Sequence, residues 1–275
     1  MVSRLPDADA VVREDLALAV EVAREAGKLS LEWLEKGARS WDKSPGNVVT
    51  EADIAVNDLI AGRLRSARPD YGWLSEETID NPADRGQRRV WVVDPIDGTK
   101  AFLRGEPGFC ISIARLENSR SVAGALFNPL TNEMLAAAEG KGATLNGETI
   151  RAMPTCSLGE CGMILRPEIH DRLMAHPGWP QTRILKPMPN SIAYRIALVA
   201  AGRWDAAIGL QRTNDWDIAA AVLILQEAGG IATDGSGQPF SFNREVTRHL
   251  GVVAAGAELH PLIMEKLQGL SRPAQ

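Results

Sequence analysis

The sequence predicts a mixed fold, α+β in its first half and α/β in its second, and three observations predict it. A helical pattern opens the chain, with Leu16, Val20, Ala23, Ala26, Leu29 and Leu34 near helical spacing and charges between them. Short apolar segments joined by short connections then occupy 90–145, which favours antiparallel pairing. From residue 191 onward helical and strand patterns alternate, the signature of an α/β arrangement.

Taken in order, the first helix covers 9–36 and ends near Gly37. Residues 41–47 read as a loop rich in turn formers, leading into Val48-Val49-Thr50. A second helix over 52–67 runs through Ile54, Leu59, Ile60 and Leu64 and is stopped by Pro69. Residues 71–75 form a short strand that delivers Glu76 and Glu77, and 81–89 a polar surface loop. Val90-Trp91-Val92-Val93 is an apolar, β-branched run that reads as a buried strand; it breaks at Asp94-Pro95 and turns at Asp97-Gly98. Strands follow at 109–116, 121–127, 133–138 and 142–145, and Asn146-Gly147 marks a turn. The chain divides near there, into an α+β part over 1–150 and an α/β part over 151–275. Residues 155–184 are the least periodic. Beyond them come a helix at 191–201, a strand at 205–209, a helix at 217–228, strands at 231–233 and 250–255, and a helix at 258–268.

Composition narrows the class. With 275 residues, 45% of them hydrophobic and 24% charged, the chain is an ordinary globular protein with a large core. No apolar run approaches the roughly 18 residues that cross a bilayer, and the N-terminus carries no apolar signal segment, so a cytoplasmic protein is expected. Cys110, Cys156 and Cys161 match no zinc-ligand spacing. A net charge of −5 argues against non-specific nucleic-acid binding. Neither GxGxxG nor GxxxxGK[ST] occurs, which removes support for a dinucleotide-binding oxidoreductase.

The stretch Asp94-Pro95-Ile96-Asp97-Gly98-Thr99 carries the chemistry. It places two carboxylates, a Gly and a Thr at a strand's carboxyl end, where such folds often hold reactive groups. Two neighbouring acids repel unless a cation sits between them, and magnesium takes oxygen ligands. Asp-Pro and Asp-Gly are also ordinary turn dipeptides, so the stretch means little alone. Thr50-Glu51-Ala52-Asp53, Leu74-Ser75-Glu76-Glu77, Trp216-Asp217-Ile218-Ala219-Ala220 and Glu227-Ala228-Gly229-Gly230 accompany it. Together these segments resemble those of the inositol monophosphatase family, in order and spacing, over about residues 15–260.

That resemblance implies a layered αβαβα sandwich, a homodimer, and hydrolysis of a small anionic phosphate ester with two or three Mg2+ ions. It implies that Glu76, Asp94 and the Ile96 carbonyl hold a first metal, and that Asp94, Asp97 and Asp217 hold a second. Glu76 would also face a third, weaker position through water. Asp53 and Thr99 would orient and deprotonate the attacking water, while Gly98 and Thr99 would receive the phosphate at a helix start. Asp53 and Asp217 each also stand where a helix cap would. His170, His176, His249 and His260 lie outside these motifs and are assigned no role. An inactive metal- or phosphate-binding regulator would lack one of these groups; Asp53, Glu76, Asp94, Asp97, Thr99 and Asp217 are all present.

For the substrate, inositol-cleaving members carry a glutamate several residues before the Trp-Asp motif. Here the stretch is Ile208-Gly209-Leu210-Gln211-Arg212-Thr213-Asn214, with no acid. Arg195 stands where the family's 3'(2'),5'-bisphosphate nucleotidase branch carries a basic residue, and a guanidinium suits a second phosphate. Arg166 is a further basic candidate, and a surface or inter-helix ion pair is an equal alternative for Arg195. The expected substrate is adenosine 3',5'-bisphosphate, a by-product of sulfate activation, with inositol 1-phosphate and histidinol phosphate as alternatives.

Overall fold

A computed structural model describes residues 8–270, apart from 83, 84, 87, 160 and 177. The chain begins with α1 (Ala8–Lys36), closed by Gly37 at φ +77°. A hairpin of β1 (Ser40–Ser44) and β2 (Asn47–Thr50) leads into α2 (Glu51–Ala67). Then come β3 (Gly72–Ser75), β4 (Arg89–Asp97) and a short α3 (Thr99–Leu103). Five strands follow: β5 (Cys110–Glu117), β6 (Arg120–Asn128), β7 (Glu133–Ala138), β8 (Ala143–Leu145) and β9 (Glu148–Ile150). The second half holds β10 (Gly162–Ile164), α4 (Pro167–Met174), β11 (Arg183–Ile184), α5 (Ile192–Ala200), β12 (Ala206–Gly209) and β13 (Thr213–Asn214). It closes with α6 (Asp215–Glu227), β14 (Gly230–Thr233), β15 (Arg248–His249), β16 (Val252–Gly256) and α7 (Leu259–Leu270).

Strands β3 to β9 form one seven-stranded sheet in chain order, antiparallel throughout except for the parallel β3–β4 pair. A five-stranded sheet has the order β11-β10-β12-β16-β14. It is mixed: β10 pairs parallel with β11 and β12, whereas β16 runs antiparallel to β12 and β14. The alternation read from the sequence therefore did not yield an all-parallel sheet.

Side-chain alternation makes the layers. Along β4, Trp91 and Val93 face α1 and α2, while Val90 and Val92 face α5 and α6. Along β16, Val252 and Ala254 join those same middle helices, and Val253 and Ala255 pack with Leu259 and Ile263 of α7. The expected αβαβα sandwich results, with α5 and α6 between the two sheets. Gly124 brings the layers close, since a Cβ there would stand 3.0 Å from the Ala220 carbonyl oxygen of α6.

Three expectations were incomplete. Residues 41–47 are a hairpin rather than a loop, because Trp41 and Asp42 pair with Val49 and Val48. Residues 155–184 contain β10, α4 and β11, elements too short to show periodicity. Asp15, read as part of the polar face of α1, is fully buried. It meets Arg68 Nε at 2.7 Å, the Tyr71 hydroxyl at 2.9 Å and the buried Arg115 Nε at 3.2 Å, tying α1 to the end of α2 and to β5. Burying that carboxylate is tolerable only because cations and a hydroxyl surround it.

Substituting Gly124→Val should destabilise the fold by about 1–3 kcal/mol, since α6 must back away from β6. Urea unfolding measures it, and an unchanged midpoint would show that the close approach is not needed.

Candidate active site

The site grows from the end of β4. Pairing with β5 is regular through Asp94 and slips before Asp97. The Asp94 carboxylate accepts the Ile96 N–H at 3.1 Å, which stiffens the break after Pro95. Gly98 then turns the chain at φ +98° into α3; a Cβ there would lie 2.8 Å from the Gly108 carbonyl oxygen and 3.0 Å from the Ser191 nitrogen. No other residue fits that corner.

Asp53 and Asp217 use one device twice. Each is the third residue of a helix and closes a capping box with the residue before the helix, Thr50 and Asn214 respectively. Asp53 Oδ2 accepts the Thr50 N–H at 2.7 Å, and Oδ1 lies 3.4 Å from the Thr99 hydroxyl. That same hydroxyl is 3.3 Å from the Ile96 carbonyl oxygen. Asp217 Oδ2 accepts the Asn214 N–H at 2.6 Å. A cap and a functional carboxylate are therefore not competing readings of these residues: one oxygen caps and the other is left for the site.

Asp97 is held from the second half of the chain. Its Oδ2 accepts the Ser191 hydroxyl at 2.5 Å and the Ala193 N–H at 2.8 Å, both from the start of α5. Glu76 follows β3 and has Lys43 Nζ 3.6 Å away; Lys43 also pairs with Glu77.

Glu76, Asp94, Asp97 and Asp217 line a single cleft of about 270 Å³, with Ile96, Gly98 and Thr99. Arg166, Arg195 and Arg212 line it too. Burial and mutual repulsion push these acids toward their protonated forms. Burial first, then the neighbouring Glu77, Asp53 and Asp97, raises Glu76 to about 7 against the pull of Lys43. Asp97 rises to about 6 through burial, held back by its bonds to Ser191 and Ala193 and by Arg195. Burial also raises Asp53 to about 6 against its Thr50 bonds. Asp94 and Asp217 go well up, through burial and then their fellow acids. Among the described residues no three His, Cys, Asp or Glu side chains form a ready-made metal cage. The donors are instead arrayed along the cleft. Their chemistry, hard carboxylate oxygens and one carbonyl with no nitrogen or sulfur, suits magnesium, which keeps several waters of its own.

All the acids read from the sequence thus reach one place, with Asp53 joined to it through Thr99. Arg195 reaches the cleft but differs from the expectation. Its Nε and Nη2 donate to the carbonyls of Pro189 and Asn190 at 2.7 and 2.8 Å, so that edge cannot grip a phosphate bidentately. Buried, it also steadies the charge of Asp97. Lys43 and Ser191 were missed. Lys43 lies in the segment taken for a loop; Ser191 carried a signal, since Asn190-Ser191 before a helix is a capping sequence.

A model of the inositol monophosphatase family matches residues 12–272. The chain belongs to that family. It is a metal-dependent phosphoric monoester hydrolase with the family's layered fold. A fructose-1,6-bisphosphatase/inositol-1-monophosphatase of Thermotoga maritima is 39% identical over 204 residues, 70% of this chain and 73% of that one. An inositol-1-monophosphatase of Mesorhizobium japonicum is 35% identical, covering 81% of this chain and 86% of its own. The crystal structure of an extragenic suppressor protein suhB from Bartonella henselae superposes with a TM-score of 0.81 at 28% identity, over 93% of this chain and 98% of that one. No helix among the described residues is long and apolar enough to cross a membrane.

The acid pKa values set a pH dependence. Folded, Asp97 and Glu76 release protons near pH 6 and 7; unfolded, they do so near pH 4. Between those values the folded chain holds more protons, so metal-free protein loses stability as pH rises through the window. A cation bound by these carboxylates would take the place of those protons. The gain in Tm from saturating magnesium should therefore grow between about pH 5.5 and about pH 7.5, read by thermal melts. An equal gain at both would show that these acids do not meet the metal.

Proposed function

We propose that this inositol monophosphatase-family enzyme hydrolyses inositol 1-phosphate or a closely similar polyol monophosphate, using Mg2+. The relatives named for inositol-1-monophosphatase activity, at 35–39% identity over most of their length, carry this reading. The cleft adds to it: its volume of about 270 Å³ accommodates a small phosphorylated ring beside the acids. The nucleotidase branch expected from Arg195 loses ground, because the side-on edge of that guanidinium is already engaged. Its one support is that Arg166 and Arg195 both line the cleft, where a second phosphate would meet them.

Glu76, Asp94, the Ile96 carbonyl, Asp97 and Asp217 would hold the magnesium ions, which neutralise phosphate charge and make bound water more acidic. Thr99 and Asp53 form the proton path. The Thr99 hydroxyl accepts a proton from water while passing its own to Asp53 Oδ1, whose affinity for it burial has raised. Gly98, with no side chain in its corner, lets the phosphate approach the main chain. Arg212 and Gln211 line the same cleft on the stretch that lacks the family's glutamate, so polyol hydroxyls would meet donors there.

Two measurements test this. In a panel of inositol 1-phosphate, adenosine 3',5'-bisphosphate and histidinol phosphate, kcat/KM should be highest for the first by about tenfold or more, near 1.4 kcal/mol of discrimination; a preference for the bisphosphate would restore the nucleotidase reading. Asp53→Asn should lower kcat by about 10²–10⁴ with little change in substrate KM, as removal of a general base does. An unaltered kcat would leave Asp53 as a helix cap and nothing more.

A further inference from the structure

We infer that Ser191 is a positioning residue for the metal site, its hydroxyl aiming the Asp97 carboxylate from across the boundary between the two sheets. The inference rests on the reading of Asp97 as a metal ligand.

The geometry leaves the hydroxyl no freedom. Ser191 is fully buried and is the N-cap of α5. Its main-chain N–H donates to the Gly108 carbonyl at 2.9 Å, so its backbone is pinned to the loop between α3 and β5. Its Oγ has three neighbours: Asp97 Oδ2 at 2.5 Å, the Tyr194 N–H at 2.8 Å and Cys110 Sγ at 3.2 Å. A hydroxyl has one proton to give and two lone pairs. A carboxylate is the strongest acceptor of the three partners, so the proton points to Asp97. The lone pairs then receive the Tyr194 N–H and the Cys110 S–H. Every valence is taken, and Cys110 is itself buried at the start of β5.

The result is a bridge from β5 through α5 to the end of β4. Asp97 Oδ2 is held by Ser191 and by the Ala193 N–H, and the Ile192 N–H also bonds the carboxylate, which together fix its orientation toward a cation. A carboxylate fixed in this way meets a metal without losing rotational freedom, and groups that orient a ligand are commonly worth 10–100-fold in metal affinity. Cys110 sets no charge here; it fills the last lone pair of Ser191.

The experiment is Mn2+ binding to substrate-free protein, followed by the loss of the free-ion electron paramagnetic resonance signal. Ser191→Ala should weaken Mn2+ binding about tenfold or more, whereas Ser191→Thr, which keeps the hydroxyl, should stay within about twofold of the unaltered protein. In turnover, Ser191→Ala should need more Mg2+ for half-activation and recover most of its kcat when Mg2+ is raised. Cys110→Ala should leave Mn2+ affinity unchanged. A residue that merely caps α5 would lower Tm without moving the Mn2+ constant, and that outcome would overturn the inference. Where Ser191→Ala does not fold, Ser191→Cys, a weaker donor, should give an intermediate loss of affinity, and no loss would overturn the inference equally. Should unaltered protein bind no Mn2+ at all, the metal reading of the cleft fails first and this inference falls with it.

Discussion

Like charges crowded together out of water are the constraint on which the rest of the structure depends. Four aspartates and a glutamate converge at the end of β4, and each raises its neighbours' hold on protons. Desolvation alone would neutralise them. What keeps the aspartates oriented is a repeated arrangement: each gives an oxygen to a main-chain N–H, those of Thr50, Ile96, Ala193 and Asn214. The anchored oxygen favours the charged form while the surroundings oppose it, and a bound cation would resolve the balance.

The layered sandwich makes that arrangement stiff. Both faces of β4 are packed, by α1 and α2 on one side and by α5 and α6 on the other, so its last residues hang from a rigid strand. The middle helices serve both sheets and also begin at the site. α5 supplies Ser191 and Ala193 to Asp97, and α6 supplies Asp217. The start of α6 is pinned in turn by a buried pair, His249 Nε2 to Asp215 Oδ1 at 2.6 Å, with Phe240 and Phe242 edge-on to the imidazole. None of these anchors is a surface feature. A change in how the middle helices sit between the sheets would therefore reach the carboxylates directly.

The accuracy of the sequence reading followed the range of the interactions involved. The apolar strand broken at proline and the Asp-Gly turn are local and marked Asp94, Asp97, Gly98 and Thr99, while the motifs shared with the family added Asp53, Glu76 and Asp217. Lys43 was not, because it lies on β1, an exposed strand of the 40–50 hairpin with no apolar pattern to announce it. The Asp15–Arg115 pair was hidden for the opposite reason: a charge buried among partners 100 residues apart looks, in sequence, like a charge on a surface.

By itself, then, the sequence determined the mixed α+β and α/β pattern through periodicity and turn chemistry, while the layered fold, the family and the roles of the acids came from the resemblance that its motifs carry in order and spacing. Only the tertiary structure decided which oxygen of each acid is tethered and which is open, that Arg195 braces a loop instead of standing free, and how small the cleft is. Those outcomes depend on distances between segments far apart in the chain. Such distances are set by how whole layers pack, and no short stretch of residues encodes them.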